Sequence, residues 1–307
     1  MTDNERQGKD RQFIDVFLTR KDKTFHFANL LLTLCLTLLV LLPLLHVLSA
    51  SFSSPSAVSL GKVLIFPVDF SLEGYRRVFV YPGIWTSYAN TIFYTVAGTA
   101  VNVLLTLLAA YPLAKRGLPL RGFIMFLFTF TMLFSGGMIP TYLVVKKIGI
   151  TNTRWAMLLP GALSVYKTII ARTFMQDIPE ELSEAAALDG CDDARYFLRV
   201  VLPLSGTLIS VLTLFYAVGH WNDYFQAFLY LVDRDKLPLQ LILREILVAN
   251  TINLDSFTDP ETAMALAGMA DLMKYSLIIV SCAPILVLYP FLQRYFVKGV
   301  MIGSLKG

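Results

Sequence analysis

Charge is scarce in this chain of 307 residues. Asp, Glu, Lys and Arg supply only 16% of it, against about 25% in an ordinary soluble domain. A solvated globular body of this length is therefore excluded. Cysteine is scarce too: Cys35, Cys191 and Cys282 show no C-x-x-C spacing, so neither a disulfide framework nor a zinc site is indicated. No G-x-x-x-x-G-K-[ST] run occurs, and the chain has no phosphate cradle of that kind. His26, His46 and His220 are dispersed, with no H-E-x-x-H and no G-x-S-x-G, which speaks against an intramembrane hydrolase. No basic stripe interleaved with aromatics appears, so a nucleic-acid partner is not expected.

What the chain has in abundance is apolar sequence, 56% of its residues, with a mean hydropathy of +0.62. These residues are clustered into runs long enough to cross a bilayer, which takes about 20. Backbone groups in lipid must be satisfied within each segment, so the runs are expected as helices; they lack the period-two alternation of a membrane barrel. Six spans are expected, over about 27–50, 84–113, 123–145, 155–174, 204–231 and 275–297. With the N-terminus inside, fifteen Lys and Arg fall on the inner side and ten on the outer. That bias places both termini in the cytoplasm. The expected organisation is a cytoplasmic tail over 1–26, a first span over 27–50, a core of five spans over 84–297, and a cytoplasmic tail over 298–307.

Between the fourth and fifth runs lies a short acidic stretch, Glu184-Ala185-Ala186-Ala187-Leu188-Asp189-Gly190. It is too polar to enter a bilayer. Asp177 is expected to cap a helix whose first turn carries Pro179, Glu180 and Glu181, because carboxylates suit the positive end. Leu182, Ala185, Ala186 and Asp189 share a face, and the two alanines allow close approach of another surface. Gly190 is the expected stop, since it accepts the left-handed conformation that ends helices. Asp192 is expected to cap a second helix, with Tyr196, Phe197, Val200 and Val201 turned to the membrane or the bundle and Pro203 as a hinge. From the residues alone, this helix pair over 177–203 is either a docking knob or a surface cap on the bundle.

The spacing Glu184-Ala185-Ala186, three residues, Gly190, nine residues, Val200, one residue, Leu202-Pro203 resembles the signature of the membrane subunits of ATP-binding-cassette importers. The family usually has Ile where this chain has Val200. Ala109 to Arg116, Trp221-Asn222-Asp223-Tyr224, Leu237-Pro238-Leu239 and the tail from Gln293 to Gly307 resemble the maltose-type carbohydrate permeases. Ser135 to Pro140 and Asn152 to Ala156 are similar to a lipoprotein-linked branch that imports complex oligosaccharides. The resemblance implies an all-α, type I importer fold with six transmembrane helices in a bacterial cytoplasmic membrane. It implies a second, related permease, two cytoplasmic ATPase subunits that bind ATP and Mg, and an extracellular solute-binding protein that delivers sugar. No cofactor and no catalysis are implied for this chain. Glu184, Ala185, Ala186, Asp189, Gly190, Leu202 and Pro203 would then couple ATPase closure to the pore.

Sugars need hydrogen-bonding groups and aromatic faces, so Asn90, Asn102, Asn222, Asp223 and Tyr224 are candidates for the substrate pathway. For Asp223 the alternative is a structural hydrogen bond near the outer interface. Lys167 is expected to snorkel toward the cytoplasm. The stretch from Val232 to Asp271 is expected as a long outer loop. By resemblance, Asn250, Asn253, Asp255 and Asp259 within it would contact the binding protein; the alternative is a merely solvated loop. Two rival classes remain: an importer permease for a non-sugar solute, and an ion-coupled carrier, for which the spans offer few ion sites.

Overall fold

The structure is a computed structural model that describes residues 20–252 and 268–287. Every described regular element is helical. Helix α1 (Arg20–Ser51) is long, apolar and open along most of its length. Thr33 and Thr37 turn their hydroxyls back onto the carbonyls of Asn29 and Thr33, each at 2.8 Å, which keeps these polar groups satisfied on a lipid-facing surface. Two short helices, α2 (Pro55–Ser59) and α3 (Glu73–Val80), follow. They pack with the last described helix, α14 (Gly268–Val287).

Helix α4 (Ile84–Ala114) is the axis of the bundle. One side of it is apolar and exposed, while Ser87, Asn90, Thr91, Thr99, Asn102 and Thr106 are buried. A helix with a polar stripe turned inward needs partners for that stripe. α4 packs against α8 (Val165–Gln176), α11 (Gly206–Trp221) and α13 (Leu239–Ile252); Thr106 finds a partner on α11, Thr91 at the start of α13 and Asn90 on the turn before it, while Ser87 Oγ, Thr99 Oγ1 and Asn102 Oδ1 have none.

The first two expected spans correspond to α1 and α4. The next three are interrupted. Residues 123–145 form α5 (Arg121–Leu133) and α6 (Met138–Ile148), bent by 112°. The break is the Ser135-Gly136-Gly137 run, where Gly137 has φ 86°, a region open to glycine and strained for other residues. Residues 155–174 form a single turn, α7 (Trp155–Leu158), then α8 after Pro160 and Gly161. Pro160 lacks an N–H and cannot continue the ladder. Residues 204–231 divide into α11 and α12 (Phe225–Tyr230) at Asn222. Among the described residues three helices are long and apolar enough to cross a membrane, or five spans if each bent pair counts as one. The protein is thus an all-α, multi-spanning membrane protein. The expected sixth span is described only as far as Val287, and the two tails lie largely outside the described residues.

The stretch after Val232 is not the open loop expected. Within it, α13 buries Leu239, Leu241, Ile242 and Ile246 against Tyr94, Met157 and Leu277. An apolar face on helical spacing drives it into the bundle.

Candidate functional site

The acidic stretch folds as a knob of two helices, α9 (Glu180–Leu188) and α10 (Asp193–Leu204). Asp177 does not cap α9, as the sequence suggested. It ends α8, and Pro179 stands at the start of α9 with no side-chain cap. Proline sets its own φ near the value a helix entry needs, which removes one demand for a cap. Gly190 behaves as expected, with φ 71°. The Gly190 N–H donates to the Ala187 carbonyl at 3.0 Å and the Cys191 N–H to the Ala186 carbonyl at 2.9 Å. This pair of bonds is the Schellman closure of a helix. Asp192 then caps α10, its Oδ1 accepting from the Arg195 N–H at 2.7 Å.

The inner face of the knob is apolar. Tyr196, Phe197 and Val201 are buried with Leu107, Ala110, Ala171, Met175, Leu208 and Leu212. Ala186, Val200 and Leu202 pack against that cluster. Ala186 is therefore a bundle contact, and Ala185 alone of the two alanines stays on the open face. Glu184, Asp189 and Gly190 are exposed beside it, and Leu188 is 90% exposed. Leu188 was not among the residues singled out from the sequence. Its position four residues after Glu184, on the same side of the helix, is the signal that would have found it.

Two ion pairs tie the knob to the C-terminal end of α4: Lys115 to Asp193, and Arg116 to Glu180 at 3.5 Å. Burial pulls the Lys115 ammonium down from its ordinary pKa, but the hydrogen bonds with Asp193 and Tyr111 outweigh it and the net shift is upward. Arg172 on α8 adds a bond from Nε to the Leu113 carbonyl at 3.0 Å. Between α4 and the knob lies an open cleft of about 640 Å³, lined by Tyr111, Lys115, Arg116, Gln176, Glu180 and Tyr196 among others.

In α10 the turn Phe197–Val201 is widened into a π-helix, just ahead of Pro203. Pro203 has no N–H to offer the Arg199 carbonyl, so a regular ladder would fail there. The sharp bend itself, 79° between α10 and α11, falls at Ser205 rather than at Pro203. Ser205 is fully buried, with its Oγ unpartnered.

The candidates for the substrate pathway separate into different environments. Asn90 is used structurally: its Nδ2 donates to the Asp235 carbonyl at 2.7 Å and to the Leu237 carbonyl at 3.2 Å. Asn222 bonds back to the Val218 carbonyl at 2.8 Å. Asp223 accepts from the Gln226 N–H at 3.1 Å and so closes the turn before α12. Its neighbour Trp221 donates to the Ser281 carbonyl at 3.0 Å, linking α11 to α14. Tyr224 is half open, with the Arg244 guanidinium 5.9 Å from its ring centre. Asn102 differs from all of these: it is 3% exposed and its Oδ1 has no hydrogen-bond partner. Lys167, partly buried, sits in the first turn of α8, ten residues before Asp177, with Nζ 3.5 Å from the centre of the Tyr216 ring. The side chain of Asn250 and all of Asn253, Asp255 and Asp259 lie outside the described residues. Among the described residues no group of His, Cys, Asp and Glu is placed to hold a metal.

Comparison with known proteins places this geometry. The profile of the binding-protein-dependent transport system inner membrane component matches residues 102–302. Protein LplC of Bacillus subtilis (strain 168) is 41% identical over 289 residues, covering 94% of this chain and 97% of the relative. The polygalacturonan/rhamnogalacturonan transport system permease protein YtcP of the same organism is also 41% identical, over 287 residues, covering 94% of this chain and 100% of the relative. A solved bacterial ABC transporter involved in the import of the acidic polysaccharide alginate contains a chain that superposes with a TM-score of 0.83 at 34% identity, covering 91% of this chain and 99% of that one. A knob carried between broken helices, on a fold that extends over nearly the whole of that importer chain, belongs to the binding-protein-dependent transport inner membrane components, and this chain is a member of that family: a non-catalytic permease subunit of an ABC importer.

Proposed function

We propose that the chain is the membrane subunit of an ATP-driven importer of oligosaccharides, in the direction of complex polysaccharide fragments. The names carried by its relatives support the sugar class: one transports polygalacturonan and rhamnogalacturonan, and the solved importer handles alginate. The full assembly is one permease of this sequence, a second related permease, two ATPase subunits and an extracellular binding protein. Six spans then cross the membrane with both termini inside.

The observation that carries the coupling reading is the knob. Its open face presents Glu184, Ala185 and the fully projecting Leu188, while its other face is locked to α4, α8 and α11. Burying a leucine side chain is worth about 2 kcal/mol, and an exposed one at the tip of a rigid helix suits a groove in a partner. The ATPase supplies that groove. Closure of the ATPase pair would push on α9, and α10 would transmit the push to α11 through the bend at Ser205. Helices that rock this way alternate the pore between outward and inward openings.

The test is disulfide crosslinking from the knob. With cysteine at Leu188 and at a series of ATPase cleft positions, a nucleotide-dependent crosslink is expected. A knob that crosslinks to no ATPase, in a complex that still imports sugar on ATP addition, would overturn the coupling reading.

A further inference from the structure

Helices α4 and α11 run antiparallel, and two contacts set their register. Thr106 and Tyr216 share a hydrogen bond of 2.7 Å. Gly98 lies flat against the His220 ring; a Cβ added there would collide with it. Residues 98, 102 and 106 are one turn apart, about 6 Å per step, and so share one face of α4. Asn102 therefore stands between the Gly98–His220 contact and the Thr106–Tyr216 contact, facing the same neighbour.

Lys167 of α8 enters this place from the third side. Its ammonium lies over the Tyr216 ring and within electrostatic reach of His220. Among the described residues no carboxylate acts on it. Asp223, one turn beyond His220, is engaged with the Gln226 N–H instead. Lys167 is only partly buried, and a ring face, worth about 0.5–1 kcal/mol where solvent reaches it, cannot serve its three N–H donors. Two further groups are unfinished nearby. Asn102 Oδ1 is an acceptor without a donor, and His220 Nε2 rests on the Gly98 backbone without a well-formed hydrogen bond. A lone cation, an idle acceptor and an idle ring nitrogen thus converge where α4, α8 and α11 meet. Their complement is a ligand that carries a carboxylate beside hydroxyl donors.

We propose that Lys167, His220 and Asn102 form a subsite for a sugar carboxylate, so that the transporter passes uronate-bearing oligosaccharides in preference to neutral ones. This rests on the import reading above. Lys167 meets the carboxylate, Asn102 Oδ1 accepts from a ring hydroxyl, and His220 completes the set on an adjacent oxygen. An acidic side chain of the second permease would satisfy the same cation, and the experiment separates the two.

The experiment uses the complete transporter in proteoliposomes with its binding protein. Oligogalacturonate and alginate trimers are offered beside the same trimers reduced at the carboxyl to neutral sugars. At least one acidic trimer is expected to enter tenfold or more faster than its neutral counterpart. Lys167→Met should lower acidic uptake at least tenfold while neutral uptake changes less than twofold, and Lys167→Arg should restore most of the acidic rate. Asn102→Asp sets a carboxylate beside the ammonium and should likewise close the path to acidic trimers alone. Equal entry of neutral and acidic trimers into the wild type overturns the subsite, and that comparison needs no variant to fold. Equal loss of both sugars in Lys167→Met, or no loss of either, also overturns it. So does dissociation of the permease pair in Lys167→Met without sugar, which assigns the cation to the partner subunit. ATP-driven uptake of neutral sugars alone sinks the subsite and leaves the import reading standing, whereas absence of any ATP-driven sugar uptake sinks both.

Discussion

At its outer end α4 reaches across to residues 235–239 with neutral groups. Asn90 donates to two carbonyls, Tyr94 Oη donates to the Lys236 carbonyl at 2.8 Å, and Thr91 Oγ1 accepts from the Leu239 N–H at 2.8 Å. At its inner end the same helix holds the knob with charges: Lys115 on Asp193 and Arg116 on Glu180, around an apolar cluster. The outer bonds are buried, and breaking one leaves an orphaned backbone group in a dry place, at about 1–3 kcal/mol. The inner ion pairs are partly or largely exposed; such pairs are worth about 0–1 kcal/mol and are screened by salt. One end of the helix is thus a fixed mount, and the other, in the proposed coupling role, is the joint, held by packing and by exposed charges whose loss costs little.

The largest effect should come from the turn at the joint. Gly190→Pro requires φ near −65° where the backbone has φ 71°. Loss of uptake is expected with membrane insertion intact, read as sugar accumulation and ATPase rate in the same vesicles. Glu184→Lys, on the open face, should uncouple hydrolysis from uptake without disturbing assembly; wild-type uptake in both variants would break the contrast drawn here. Next comes the mount. Asn90→Leu should cost about 2–3 kcal/mol, seen as a lower midpoint in thermal unfolding of the detergent-solubilised complex, with the ATPase still bound. If Asn90→Leu releases the ATPase instead, the two ends are not independent. Asp192→Ala removes one cap, worth about 1 kcal/mol, and should weaken coupling only partly.

The smallest effects are those of pH and salt, and they differ in sign between the ends. Lys115 has its pKa raised in the folded chain. Its contribution is complete below the unfolded value of about 10.4 and fades as pH rises through the folded value. Asp233, at the outer end, has its pKa lowered by the hydrogen bond with Lys236 and then by Asn152. Its contribution is complete above the unfolded value of about 3.9 and fades as pH falls through the folded value. Alkali should therefore loosen the knob first and acid the outer turn first, in hydrogen exchange of the two segments. High salt should speed exchange in the knob more than around Asn90.

Much of this was legible from residue types. Gly190 and Asp192 announced the knob because a left-handed turn and an N-cap each admit few residues, and α1 and α4 followed from unbroken apolar runs. The interrupted segments were misread for one reason: a hydropathy window records composition, while continuity is decided by single residues such as Gly137, Pro160 and Asn222. Lys167 shows the same effect: a span drawn through 155–174 sets it inside one continuous helix, whereas the break after Leu158 makes it the first turn of a separate one, with its ammonium over the Tyr216 ring. Asn90 and Asn102 look alike as letters, and only the turn at 235–237 tells which one is occupied.

A single residue, Ser205, stands between α10 and α11, and that shortness has a mechanical meaning. There is no slack to absorb a nudge. The rod beyond it has 16 residues, about 24 Å at 1.5 Å per residue, with His220 close to its far tip. Swinging that rod by about 10° carries the tip through about 4 Å, a displacement longer than a hydrogen bond. Under the proposed coupling, a modest squeeze by the ATPases would thereby be geared up into a stroke large enough to make or release a grip on passing cargo.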